Sequence, residues 1–210
     1  NPVHIEMADA ARKVGVDFII NVVTDGEGRV VAVVAGDLEK AWLEGVEISL
    51  RMYAVEVEEP ADLVIASAGG FPKDINLYQA QKAIDNAARA VRKGGVIVLL
   101  AECPEGCGEE VFEEWMLSAA SLDDILNRFT EEFSLGGHKA YCLARVLKEK
   151  EVVMVSALEP DFVRRLFMTP AETLEKAINY AVDKLGGEGR NLKTVVMPHA
   201  GVVVPMSRGV

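Results

Sequence analysis

The sequence predicts an α/β fold: a mostly parallel sheet with helices on both faces, Rossmann-like, with an added antiparallel hairpin. Two observations predict the sheet. Four short apolar runs read as buried strands: Asp62–Ser67 (DLVIAS), Gly95–Ala101 (GVIVLLA), Glu151–Ser156 (EVVMVS) and Lys193–Met197 (KTVVM). Stretches of helical pattern separate them, and buried strands alternating with helices imply parallel pairing. A third observation predicts the hairpin. The strand-type runs Asp17–Val23 (DFIINVV) and Arg29–Val34 (RVVAVV) flank the turn signal Asp25–Gly28 (DGEG).

The helices follow in order. Ile5–Val14 has an Ala-rich face and no breaker. Leu38–Met52 is amphipathic, with Leu38, Trp42, Val46 and Leu50 at helical spacing. Asn76–Arg92 is a long helix. Shorter ones are expected near Glu109–Leu117, Leu122–Phe129 and His138–Leu147. Ala171–Leu185 follows a Thr-Pro pair that suits a helix start. Residues 186–189 (GGEG) read as a loop. Met7, Met52, Met116 and Met154 are expected core fillers. No repeat or composition shift marks a linker, so residues 1–210 read as a single domain.

Composition narrows the function. Half of the 210 residues are apolar, enough for one substantial core. The net charge is −11 with no basic patch, which argues against a nucleic-acid partner. No apolar run reaches the ~18 residues that a membrane-spanning helix needs, so no membrane partner is expected. Three cysteines, Cys103, Cys107 and Cys142, fit reduced thiols and a cytoplasmic location better than a disulfide framework. The opening Asn1-Pro2, in place of Met, reads as a fragment or a processed product.

The chemistry is expected just beyond the strand carboxyl ends, where open parallel sheets bind ligands. One such end is Ser67–Asp74 (SAGGFPKD), leading into the helix that begins INLYQAQK; the other is Glu102–Gly108 (ECPEGCG). Gly69-Gly70 permits a sharp turn and close backbone approach. Asp74 is placed to cap the helix, leaving first-turn N–H groups outward, an arrangement that attracts anions. Tyr78, Gln79 and Lys82 fall on one helix side. An amide, a cation and a phenol together suit a carboxylate or phosphate. The plain alternative stands beside this: a Gly-Gly loop is common in α/β folds, Lys82 then being a solvated residue and Tyr78 ordinary packing. The loop has neither GxGxxG nor GxxxxGK[ST], so a standard dinucleotide or P-loop site is unsupported.

The runs SAGGFPKDINLYQAQKA and CPEGCGEEVFEEW resemble the C-terminal domain of the lactate racemase family that uses the nickel-pincer nucleotide. NPVHIEMADAARKVGVDFIINVV and SLRMYAVEVEEPADLVIASAGG are similar to the same family, so the resemblance covers nearly the whole chain and is strongest over Ala61–Trp115. It implies an isomerase that inverts C2 of a 2-hydroxy acid by hydride transfer to and from the nickel cofactor. On this resemblance Tyr78, Gln79 and Lys82 bind substrate, while Gly69, Gly70 and Tyr141 lie near the cofactor. The family's cofactor lysine, nickel-binding histidine and acid/base histidines belong to an N-terminal domain that this chain lacks. The resemblance therefore places no catalytic residue and no metal ligand here, and makes that N-terminal domain the partner of a fragment inactive alone. On the same resemblance a histidine is common near the position of Trp42 in relatives, and Trp42 leaves a polar role there in doubt.

His4, His138 and His199 lack metal-ligand spacing and read as surface or packing residues. Cys103 and Cys107, without a second pair, read as loop structure rather than zinc ligands. Glu102 and Glu105 are base candidates by location only. Two other functions compete. One is a methyltransferase-like Rossmann enzyme, suggested by VRKGGVIVL at Val91–Leu99; the other is a non-catalytic binding module.

Overall fold

The larger part of the chain is organised by five parallel strands. The structure, a computed structural model, describes residues 2–187 and 190–207. Asn1, and Glu188 and Gly189 of the expected 186–189 loop, lie outside them. Contacts divide the chain into two units, Asn1–Ala54 and Val55–Val210, where the sequence reading has one.

In the first unit, α1 (Pro2–Val14) precedes a hairpin of β1 (Ile19–Thr24) and β2 (Val30–Gly36), and α2 (Leu38–Tyr53) follows. The hairpin is antiparallel, with Val22 opposite Val33. The Asp25 carboxylate organises its turn by accepting the N–H of Glu27 at 2.9 Å and of Arg29 at 3.0 Å. Asp37 caps α2 by accepting the Glu39 and Lys40 amides. The helix forms as expected, but its apolar side stays half open: Trp42 is 37% and Leu50 43% exposed. Met7 and Met52 are also exposed, which corrects their assignment as core fillers; Met116 and Met154 are buried.

In the second unit the chain runs β3 (Ala54–Val57), β4 (Ala61–Ser67), α3 (Leu77–Ala90), β5 (Val91–Leu100), α4 (Glu110–Ser118), α5 (Leu122–Glu131) and α6 (Gly137–Glu149). It continues through β6 (Glu151–Val155), α7 (Pro160–Arg165), β7 (Thr169–Ala171), α8 (Leu174–Lys184), β8 (Thr194–Met197) and β9 (Val204–Ser207). The sheet order is β7-β6-β5-β4-β8, and each neighbouring pair is parallel. β3 and β9 form a separate two-stranded sheet.

Side-chain alternation divides the core between the sheet's two faces. Val64, Ala66, Ile97, Leu99 and Met154 pack with Ile84 of α3, Phe112 and Trp115 of α4 and Leu143 of α6. Leu63, Val96, Val98 and Val153 face Ala177 and Ala181 of α8 and Leu185 just after it. One face thus carries several helices and the other mainly one.

Three boundaries differ from expectation for local reasons. The helix expected over Ala171–Leu185 begins at Leu174, because Thr173 caps it by accepting the Lys176 N–H at 3.2 Å. Thr169–Ala171 instead pairs with β6 as an edge strand, a place that tolerates Pro170. α3 stops at Ala90, since Val91 is already extended and opens β5.

Candidate active site at the carboxyl edge of the sheet

β4 is the pivot of the sheet. From it the chain passes through α3 to β5 on one side; β8, arriving from α8 on the opposite face, pairs on its other side. Such a reversal opens a crevice at the strand carboxyl ends. The loops after β4 and β8 both lie there and touch: the Ala200 N–H donates to the Ser67 carbonyl at 3.0 Å.

Gly69 and Gly70 adopt φ values of +102° and +74°, a region costly for a side chain. A Cβ on Gly69 would lie 3.4 Å from Lys73 Cδ and 3.8 Å from His199 Nδ1. The bare glycine backbone therefore runs between a lysine stem and an imidazole. Sequence reasoning singled out neither Lys73 nor a local role for His199; the sheet order, invisible in the sequence, brings them together. At the loop tip, Phe71 is 79% exposed. The Phe71–Pro72 peptide bond is cis.

The loop after β5 is tied to this segment by backbone hydrogen bonds. The Cys103 N–H donates to the Asp74 carbonyl (2.9 Å), and the Glu105 N–H to the Ile75 carbonyl (3.0 Å). The Leu77 N–H donates to the Gly106 carbonyl and the Tyr78 N–H to the Cys107 carbonyl, both at 3.0 Å. Gly108 must lack a side chain, since a Cβ would come within 2.1 Å of Asn76 Cγ.

Two expectations about the start of α3 are corrected. Asn76, not Asp74, caps the helix, its Oδ1 accepting the Gln79 N–H at 3.0 Å. The Asp74 carboxylate accepts the Glu102 N–H at 3.2 Å instead and fastens the two loops together. The first-turn amides of Leu77, Tyr78 and Gln79 are all satisfied within the protein, so they do not point outward to an anion.

Gln79 and Lys82 do share a helix side: Lys82 Nζ donates to Gln79 Oε1 at 2.8 Å, with Lys82 exposed and Gln79 half-buried. Tyr78 is half-buried, edge-on to Phe112 with ring centroids 6.0 Å apart. The Lys139 ammonium lies 5.4 Å from the Tyr78 ring centroid. Burial pushes the Lys139 pKa down, which Asp85 opposes and Lys82 reinforces. Burial pushes Asp85 up, partly offset by Lys139 and Arg89. Gln81, fully buried on α3, donates from Nε2 to the Lys139 carbonyl at 2.8 Å and so ties α3 to α6.

Tyr141 sits in other company. Its ring stacks on Phe129 of α5 at 4.3 Å, and the Arg145 guanidinium lies 5.8 Å from it. Cys103 and Cys107 are buried thiols. Burial first, then the neighbouring carboxylates of Asp74 and Glu102, push Cys103 up to about 12; burial and Glu113 do the same to Cys107. Glu102 and Glu105 are exposed. His138 Nδ1 accepts the Gly136 N–H at 3.2 Å, and His4 stacks on Trp42 at 4.0 Å. Among the described residues no group of three or more His, Cys, Asp or Glu could hold a metal ion. None of the described helices is long and apolar enough to cross a membrane.

Fold and loop edge together define a Rossmann-like α/β domain whose polar side chains gather at a topological switch point. A sequence model of the lactate racemase C-terminal domain matches residues 56–205, and the chain belongs to that family. It is 38% identical to the lactate racemase of Thermoanaerobacterium thermosaccharolyticum over 86% of this chain and 43% of that protein. With the lactate racemase of Lactiplantibacillus plantarum it shares 32% identity, over 97% of this chain and 49% of the relative. The structure of the T. thermosaccharolyticum lactate racemase apoprotein matches with a TM-score of 0.91 and 34% identity, covering 98% of this chain and 50% of that one. A Thermotoga maritima crystal structure matches at a TM-score of 0.62 and 13% identity, a likeness of fold alone. The chain thus spans about half the length of the racemases it matches. Family membership displaces the methyltransferase-like alternative.

Proposed function

We propose that this chain is the substrate-holding half of a 2-hydroxy acid racemase, with Lys82 and Gln79 as its principal contacts. The observation that carries the reading is the Lys82–Gln79 pair at the start of α3, beside the β4 switch point, in a chain of the lactate racemase family. A 2-hydroxy acid presents a carboxylate and a hydroxyl. Lys82 supplies a charge-assisted hydrogen bond to the carboxylate, and Gln79 a neutral one to an adjacent oxygen. Tyr78 contributes its phenol at the same helix end. Gly69 and Gly70 let the loop backbone approach the bound molecule, and Tyr141 is assigned beside the cofactor on the family resemblance.

The described residues do not fit a nickel site, having no metal-holding cluster. On the family resemblance, the nickel-pincer nucleotide, which would remove and return hydride at C2, is assigned to the half of the racemase beyond the matched segment. This chain's part is to bind and orient the acid in a cleft shared with that half.

The test uses a racemase containing this chain joined to that other half. Lys82→Ala lowers kcat/KM by about 30- to 1000-fold, equivalent to about 2–4 kcal/mol of transition-state stabilisation. Gln79→Ala costs about 1–2 kcal/mol, as befits one neutral contact. Thermal melts check folding. Near-normal turnover by a well-folded Lys82→Ala variant removes the lysine from the site.

A further inference from the structure

The loops after β4 and β8 hold two further nitrogens that the Gln79–Lys82 pair leaves unused. The point where a β-carbon of Gly69 would lie is 4.0 Å from Lys73 Nζ and 3.8 Å from His199 Nδ1. The two nitrogens are therefore under about 8 Å apart, on either side of a notch that only a glycine leaves. No atom lies within 4 Å of the same point on Gly70, so the space beside the notch is open.

Both side chains stand on backbone that is tied down. The Gly69 N–H donates to Ser67 Oγ at 3.1 Å, and the Lys73 N–H to the Gly70 carbonyl at 2.8 Å. His199 precedes Ala200, whose N–H is bound to the Ser67 carbonyl and whose own carbonyl accepts Asn86 Nδ2 at 2.7 Å. Gly201 lets this loop press on β4's end, since a Cβ there would lie 3.2 Å from the Ala68 carbonyl oxygen. Asn86 is one turn beyond Lys82 on α3, so the His199 loop is fastened to the helix that carries the Gln79–Lys82 pair. Donors held in place before a ligand arrives lose little entropy in binding it.

Charge decides what such a notch takes. Among the described residues neither the Lys73 ammonium nor the His199 ring has a hydrogen bond or an ion pair. Lys93, Lys148, Lys176 and Lys184 each pair with a carboxylate. Asp74, the carboxylate next to Lys73 in sequence, is buried and accepts the Glu102 N–H instead. In a chain of net charge −11, an ammonium left without a carboxylate, beside an imidazole and an open notch, suits an external anion. Two hydrogen bonds of about 2.8 Å made through two oxygens of one anion span roughly 8 Å, which matches the separation of the two nitrogens.

We propose that Lys73 and His199 form a second oxyanion subsite around Gly69, apart from the Gln79–Lys82 pair. Its ligand is a phosphate or carboxylate group. The source is either a phosphate-bearing ligand or a second carboxylate on the acid, and only the latter rests on the racemase reading.

The experiment titrates the 210-residue chain with inorganic phosphate and, separately, with a dicarboxylic and a monocarboxylic 2-hydroxy acid. Ionic strength is held constant with chloride, and NMR follows the histidine ring and glycine amide signals. A saturable shift is expected at His199, Gly69 and Gly70, while His4, stacked on Trp42, stays put. Lys73→Met keeps the side-chain stem and is expected to weaken binding about tenfold. His199→Gln, read at the glycine amides, weakens it less, and Lys82→Ala leaves it unchanged. Thermal melts check folding of each variant. A response to phosphate assigns the group to a phosphate-bearing ligand, and a response to the dicarboxylic acid but not the monocarboxylic one assigns it to the substrate; each supports the subsite. No saturable shift with any of the three, a shift that chloride reproduces, or one that survives Lys73→Met in a folded protein overturns it. No turnover is read, so failure of the racemase reading leaves the phosphate result standing, and Lys82→Ala in the joined racemase tests that reading by itself.

Discussion

Trp115 on α4 is 1% exposed, whereas Trp42 on α2 is 37% exposed. Both tryptophans sit on helices whose apolar residues recur with helical spacing, yet only the larger unit encloses its own. The difference lies in layers. β4, β5 and β6 have helices on both faces, while the β1–β2 hairpin has α2 against one. An amphipathic helix specifies which side seeks cover, but the cover has to come from elsewhere in the protein.

Substitutions sharpen this contrast. Trp115→Ala should cost about 3–5 kcal/mol, because a filled site against Gly137, Phe129 and the Arg128 guanidinium becomes a cavity. Trp42→Ala in the same chain should cost under about 1 kcal/mol, since surface substitutions rarely cost more. Urea denaturation measures both, and equal losses would break the comparison.

Gly108→Ala should cost about 1–3 kcal/mol, combining φ +82° with the clash on Asn76. A thermal melt reads it as a drop of several degrees. Asp62→Asn should cost about 1 kcal/mol at pH 7. Its carboxylate accepts Arg92 Nε at 2.7 Å and the Lys193 N–H at 2.9 Å, and these bonds hold its pKa below the ordinary value. The stabilisation is complete above the unfolded carboxylate range near pH 4 and is lost as pH falls through the lower folded value. Wild type and variant should therefore converge in acid, and a gap that persists at pH 2 would rule out this origin.

The smallest effect is chemical. At pH 8 a thiol reagent should label half-buried Cys142 before Cys103 or Cys107, whose thiols are enclosed and pushed up to about 12. Mass spectrometry of the native protein decides it. Labelling of Cys103 at the rate of Cys142 would show that the loop after β5 opens.

What could be read from the sequence was local. The buried runs announced β4, β5, β6 and β8, and DGEG announced the hairpin, because β-branched content and turn chemistry act within a few residues. β3, β9, α7 and β7 were not foreseen. Each spans six residues or fewer, too short for a periodicity to register. At the candidate site the i, i+3 spacing of Gln79 and Lys82 was legible, since one helix turn sets it. The sequence does not decide the cap, because Asp74 and Asn76 are both good capping residues and only the loop after β5 settles which is free to serve. Lys73 beside His199 depends on residues more than a hundred positions apart meeting at a sheet reversal.

The satisfied amides at the start of α3 bear on how such a domain changes over generations. A pocket that grips an anion with main-chain N–H groups is bound to its backbone, and altering its taste means altering its fold. Here the loops spend those groups on one another, and the side chains proposed to hold the substrate, at positions 79 and 82, are exchangeable. On the proposed function, point substitutions on one helix turn would retune which acid is accepted, while the knot of loops beneath goes on supporting whatever replaces them.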